Sequence, residues 1–199
     1  MTPTHFEFRF GPDRRGDDVA DPNSTDKTFT INIDGEPIKI TGQIDRIDVA
    51  TVDGKTLFNV IDYKSGRSAK FKRDQLATGQ QLQLPIYVEA AQALVFKGKA
   101  TPLQAGYWSM GTGYDAKGAL TDKIDDKTPT GGWQDTQTIV HGLIREFIQN
   151  IRHGDFPVDS LDDKCTSTCD YRMTCRVAQA RSLHKTAIRS RRFRSRDNP

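Results

Sequence analysis

No run of about 18 apolar residues occurs anywhere in the 199-residue chain, so no segment is written to cross a bilayer as a helix. The opening stretch, MTPTHFEFRFGPDRR, has no apolar core of the secretory kind, and a cytoplasmic location follows by default. The phosphate-cradling pattern G-x4-G-K-[ST] is missing, so any ATPase must reside elsewhere. Cysteine is scarce. The three that exist, Cys165, Cys169 and Cys175, lie within eleven residues of one another. In an intracellular chain that spacing argues for metal rather than for a disulfide framework.

What is present is a polar chain with 35% hydrophobic and 28% charged residues, long enough for one domain with a core. Net charge is +3, but residues 181–199 alone carry +6, which leaves −3 on the rest. The body is no general nucleic-acid binder, whereas the tail can hold phosphate backbones without reading sequence.

The informative stretch is Gly42 to Lys64, GQIDRIDVATVDGKTLFNVIDYK. Gln43 to Ala50 alternates and is rich in strand formers. Asp53-Gly54 is a hairpin signal, and Leu57 to Tyr63 suits a buried strand. Asp62 and Lys64, two apart at the end of that strand, share a face. Asp45 stands on the neighbouring strand and can face them. Two carboxylates a strand apart suit a hard divalent cation such as Mg²⁺, which is held by one or two carboxylates with waters and substrate phosphate. A lysine beside it can orient water or balance phosphate charge. That chemistry is metal-assisted phosphodiester hydrolysis. The plain alternative is a strand-end ion pair at Asp62 and Lys64, with Asp45 and Asp48 solvated or paired with Arg46.

The rest of the chain supplies context. Phe6, Phe8 and Phe10 alternate as an opening strand, and residues 11–27 form a polar loop. Thr28 to Ile33 reads as a strand and Asp34-Gly35 as a hairpin turn, and Pro37 to Ala50 reads as one long strand or two. Gly42 marks a bulge or a plain bend. Residues 65–78 form a basic loop in which Arg67, Lys70, Lys72 and Arg73 are either DNA-phosphate contacts or solvated. Gln80 to Phe96 is a helix with Leu82, Ile86, Ala90, Ala93 and Leu94 as its apolar stripe, starting near Gln81 or Leu82 so that Pro85 falls in its first turn. Gln83 and Tyr87 are neighbours on one of its faces. Leu103 to Met110 reads as a strand and 111–132 as a polar loop. Gln134 to Arg152 is a helix with Ile139, Leu143, Phe147 and Ile151 at helical spacing, ended by Gly154. His141 on it reads as structural or exposed. The order suits an α/β core, a mixed β-sheet flanked by helices, with a C-terminal Cys-rich segment.

Taken together, GQIDRID, VIDYKSG and QLQLPIY resemble the PD-(D/E)XK nucleases of the RecB/AddB recombination type. The resemblance implies a restriction-endonuclease-like core with Asp45, Asp62 and Lys64 as the catalytic set, and Gln83 and Tyr87 on a helix bordering the site. It implies Mg²⁺ or Mn²⁺ at Asp45 and Asp62, DNA as substrate, exonuclease-type action and a helicase partner in recombinational repair. Glu7 resembles a glutamate often found in the family's opening strand and is given no role. The segment CTSTCDYRMTCR resembles the cluster-binding part of AddB-type nucleases, which implies an iron–sulfur cluster of the [4Fe–4S] kind on Cys165, Cys169 and Cys175. The fourth cysteine, well upstream in the family, is lacking, as is the family's upstream helical histidine. His5 precedes a strand and is not assigned that role. These departures suggest the C-terminal part of a longer protein or a gene fragment. The organisation expected is a nuclease core over 1–160, a Cys-rich segment over 161–180 and a basic tail over 181–199. The rivals are a catalytically incomplete DNA-binding remnant and a zinc-bound scaffold with His153 or His184 as fourth ligand.

Overall fold

The two Asp-Gly dipeptides fix the local geometry from which the fold grows. In the computed structural model Asp34 and Gly35 take φ of 52° and 84°, and Asp53 and Gly54 take 49° and 74°. Positive φ at both central residues is the turn whose twist matches paired strands, and Asp followed by Gly tolerates it best. The first turn joins β2 (Phe29–Ile33) to β3 (Glu36–Ile40), and the second joins β4 (Gly42–Val52) to β5 (Lys55–Lys64). The structure describes residues 1–12, 21–65, 70–114, 120–121 and 132–156.

Among these residues, β1 (Thr2–Phe10) pairs antiparallel with β4, and β4 with β5. The chain then passes through α1 (Arg73–Ala77) and α2 (Gln83–Ala90) and returns as β6 (Ala100–Ser109), parallel to β5. Two short strands, β7 (Gly113–Tyr114) and β8 (Leu120–Thr121), pair antiparallel with β6. The sheet runs β1-β4-β5-β6-β7, while β2 and β3 form a separate two-stranded sheet. This is the mixed α/β architecture expected from the element order. A parallel pair needs a crossover, and α1 with α2 supplies it.

Central β5 is buried from Phe58 to Asp62 without alternation, as befits a strand covered on both faces. Phe8, Phe10, Ile44, Ile47, Phe58 and Val60 form the sheet's contribution to the core. Leu84, Val88 and Ala91 supply the helical side.

Several expectations are corrected. The long strand from Pro37 breaks at Thr41, and the basic loop contains α1. The stripe of α2 runs through Leu84, Val88 and Ala91, not through Leu82, Ile86 and Ala93, because it is the former set that turns toward the sheet. The helix ends in a π-helical turn, Ala91–Val95, in which the Phe96 N–H reaches back to the Ala91 carbonyl. In α3 (Trp133–His153) the buried set is Trp133, Thr136, Val140, Leu143 and Ile144, while Ile139 and Ile151 are exposed. Gly42 is not a bulge. A Cβ there would stand 2.8 Å from the Phe10 ring and 3.1 Å from the Tyr87 ring, so glycine admits two aromatics against the start of β4. The register irregularity of this pair lies instead between Pro3 and His5.

His5 is buried. It contacts Asp21 through Nδ1 at 3.3 Å and packs edge-on against Phe8 and Phe96, a structural role. His141 is likewise engaged, its Nε2 lying 2.9 Å from Glu89 Oε2 on α2. Burial pushes the Glu89 carboxyl above its usual range, against the opposing pull of His141 and Gln137. A raised carboxylate favours the fold in its protonated form, so this contribution is complete below the unfolded pKa and lost as pH rises through the folded one. Glu89→Gln is expected to flatten that loss: urea unfolding between about pH 5 and pH 8 should show a shallower fall in stability than the parent's. Parallel slopes would contradict the assignment.

Candidate active site

The hairpin turn at Asp53-Gly54 sets β4 against β5 so that Arg46 pairs with Ile61 and Ile47 with Val60. That register brings Asp45 beside the end of β5. Its Oδ2 accepts the Tyr63 N–H at 2.7 Å, one residue from Asp62.

Asp62 is 2% exposed. Its Oδ1 accepts a hydrogen bond from Gln83 Nε2 at 2.7 Å, and its Oδ2 forms an ion pair at 2.6 Å with Lys64 Nζ. The ammonium also donates to Gln83 Oε1 at 3.2 Å. The Gln83 amide therefore closes a three-membered ring, with its nitrogen on the carboxylate and its oxygen on the ammonium. Burial raises the Asp62 pKa above the usual carboxylate range; Lys64 lowers it, and the charge of Asp45 raises it further. The Asp45 influence shows the two carboxylates close enough to share a cation's field.

The donor chemistry fits a hard divalent ion. Asp62 Oδ2 is buried and, despite the ion-pair distance, takes no aligned hydrogen bond. Among the described residues no group of three or more His, Cys, Asp or Glu side chains forms a ready-made cage. Mg²⁺ commonly does without one, keeping several waters and using one or two carboxylates. Asp45 and Asp62 are the residues that could hold it.

Tyr87, on the same helical face as Gln83, packs edge-on against Phe10 with ring centroids 6.2 Å apart and borders Gly42. It stands behind the start of β4 rather than on the charged group. Of the basic loop, Arg67 lies outside the described residues, and only the backbone of Arg73 is described, opening α1. Lys70 and Lys72 are exposed. Their segment is fastened to the start of α2 by one side chain: Gln81 Oε1 accepts the Lys72 N–H at 2.7 Å, and Gln81 Nε2 donates to the Lys70 carbonyl at 3.2 Å. Cys165, Cys169 and Cys175, with the segment boundary at 160 and the tail, lie outside the described residues.

Three participants gave little sequence signal. Glu7 sits on β1 at φ 54°, a left-handed conformation rare in a strand. Its Oε2 accepts from Gln43 Nε2 at 2.7 Å. Burial first and the charge of Asp45 second raise its pKa, and Gln43 lowers it. Ile44 and Ile47, three apart on the facing strand, are both fully buried, so alternation is interrupted across Asp45 where Glu7 takes its strained backbone. Tyr107, opposite Asp62 in the β5–β6 ladder, lays its ring 5.2 Å from Lys64 Nζ. Arg46 is committed to Asp48 through two hydrogen bonds of 2.6 and 2.8 Å and lies over Trp108, which removes Asp48 from the site.

The comparisons with known proteins agree with this arrangement. Residues 1–176 match the family model of the PD-(D/E)XK nuclease superfamily. The chain is similar to proteins named as subunits of an ATP-dependent helicase/deoxyribonuclease. Identity is 34% over 128 residues with that of Caldanaerobacter subterraneus subsp. tengcongensis, covering 64% of this chain and 10% of the relative. It is 39% over 92 residues with that of Staphylococcus haemolyticus, covering 45% and 7%. It is 45% over 56 residues with that of Clostridium botulinum strain Loch Maree, covering 28% and 5%. The chain thus spans a tenth or less of the length of these relatives. No helix among the described residues is long and apolar enough to cross a membrane.

Proposed function

Because this chain belongs to the PD-(D/E)XK nuclease superfamily, we propose that it is a metal-dependent DNA nuclease module that hydrolyses phosphodiester bonds with Asp45, Asp62 and Lys64. The observation that carries the reading is the buried Asp62 carboxylate, held by Gln83 on one oxygen and beside the Lys64 ammonium on the other. A buried carboxylate whose charged form is disfavoured by its surroundings costs stability, and such costs concentrate where chemistry needs them.

When bound at Asp45 and Asp62, Mg²⁺ or Mn²⁺ supplies a Lewis acid for the phosphoryl oxygen and lowers the pKa of attacking water. Lys64 steadies the negative charge that grows on the phosphate and orients the water. Gln83 fixes the carboxylate and the ammonium relative to one another, so neither must reorganise as charge develops. Lys70 and Lys72, anchored through Gln81 two residues before Gln83, offer sequence-independent contacts to the phosphate backbone, with Arg67 and Arg73 from the same loop. The relatives' names support helicase-associated repair in the cytoplasm, exonuclease action on DNA ends and a helicase partner as part of the same proposal. The Cys165, Cys169 and Cys175 group belongs to it as an iron–sulfur ligand set short of one ligand.

The test is cleavage of linear and circular DNA by the purified chain, with Mg²⁺ or Mn²⁺ and with chelator. Divalent-dependent loss of linear DNA alone supports an exonuclease; nicking of circles points to endonuclease action. A folded chain that binds DNA but never cuts it would favour the catalytically incomplete remnant.

A further inference from the structure

Lysine at an active site has a cost in order. Four methylenes leave its ammonium many positions, and here the side chain is 37% exposed, so solvent competes for it. Asp62 and Gln83 hold the ammonium from one side, at 2.6 and 3.2 Å. On its other flank stands Tyr107. Its ring centroid is 5.2 Å from Nζ, inside the range of cation–π attraction. Tyr107 itself is 8% exposed and fixed by its place on β6 opposite Asp62 in the parallel ladder, so the ring does not move to suit the lysine. The lysine moves to suit the ring.

We propose that Tyr107 is a positioning residue for Lys64, its aromatic face holding the ammonium over Asp62 in the one place from which it can reach a phosphate. The proposal rests on the nuclease reading for its consequence in catalysis but not for its geometry. The part of the side chain that matters is the ring rather than the phenolic hydroxyl. Burial and the nearby Asp62 charge push that hydroxyl's pKa up to about 12, so it stays protonated and adds no charge of its own at neutral pH. Nothing in the D-Y-K tripeptide signals this residue, because the contact spans from β5 to β6 through the ladder.

Two variants separate ring from hydroxyl. Tyr107→Phe keeps the aromatic face, and Tyr107→Leu removes it at similar bulk. The direct readout is the Lys64 ε-methylene proton resonance in isotope-labelled full-length chain, assigned by its loss in Lys64→Met. A proton near an aromatic face is displaced upfield. The displacement is expected in the parent and Tyr107→Phe and absent in Tyr107→Leu. The kinetic readout is linear-DNA cleavage. Tyr107→Leu is expected to lose about tenfold in kcat with KM little changed, while Tyr107→Phe stays within about twofold of the parent. Loss in both variants would assign the role to the hydroxyl and overturn the proposal. So would an upfield resonance that survives in Tyr107→Leu, or full activity in that variant. If the folded parent cuts no DNA, the nuclease reading falls, and the resonance alone decides whether Tyr107 positions Lys64.

Discussion

Asp62→Asn should cut DNA about 10³-fold more slowly than the parent and unfold no more easily. The first half follows from what the carboxylate offers. A metal-ion site contributes several kcal/mol of transition-state stabilisation, at about 1.36 kcal/mol per tenfold in rate, and asparagine is a poor ligand for a hard cation. The second half follows from burial. Asp62 is 2% exposed, and desolvation is the first cause of its raised pKa. A carboxylate with a raised folded pKa stabilises the fold in its protonated form, and that contribution is gone once pH has risen through the folded pKa. At neutral pH the parent therefore carries a charge its interior disfavours, and asparagine removes the charge while keeping an oxygen for Gln83 Nε2. Cleavage rates and urea unfolding at neutral pH on the same preparations check both halves. A slow variant that is also markedly less stable would mean that Asp62 holds the fold rather than the reaction.

Lys64→Met is expected to cost about 10²-fold in kcat and to act on stability with the opposite sign. The rate loss is that of removing one preorganised positive group from a developing negative charge. The stability loss arises because Asp62 then stays buried without its ammonium. Breaking a buried pair costs about 3–5 kcal/mol, but Lys64 is over a third exposed on its side chain, and water screens it, so about 1–2 kcal/mol is expected. The double variant Asp62→Asn/Lys64→Met should regain that stability without regaining activity. Lys64→Arg should not rescue the rate, because a planar fork cannot occupy the point between the Asp62 oxygen, the Gln83 oxygen and the Tyr107 ring. Equal stability in parent and Lys64→Met would show that the pair is a surface feature, as a bare strand-end ion pair would be.

The parts of the site that could be read from the residues are those set by short-range rules. The Asp-Gly turns dictate the hairpin register. Two-residue alternation places Asp62 and Lys64 on one face, and four-residue spacing places Gln83 and Tyr87 together. The parts that could not be read depend on packing between distant segments. In α2, Leu82, Leu84, Pro85, Ile86, Val88 and Ala91 surround much of the helix, so periodicity does not single out a stripe; contact with β5 and β6 chooses Leu84, Val88 and Ala91. In α3 a threonine sits on the buried stripe, and Thr136, fully buried, hides the phase that Val140 and Leu143 complete. The inverted backbone of Glu7 has no glycine or asparagine to announce it. The strands β7 and β8 are two residues each, too short for any pattern in a glycine-rich stretch. Tyr107 is invisible for a related reason, since its partner Lys64 lies across a parallel ladder.

The contrast between the antiparallel β4–β5 hairpin and the parallel β5–β6 pair also orders events in time. A tight turn lets β4 and β5 zip within a few residues of chain, whereas β6 can join only after the segment from Lys64 to Ala100 has closed as a loop. Nucleation is therefore cheapest at the hairpin, and the parallel pairing comes late in the transition state or after it. The same hairpin carries Asp45 and Asp62. The two carboxylates meet early in folding, and the ring and amide that discipline Lys64 arrive with α2 and β6 at the end. Weakening β4–β5 contacts slows folding, whereas weakening those of β6 hastens unfolding, so the module's resistance to slow inactivation resides in β6.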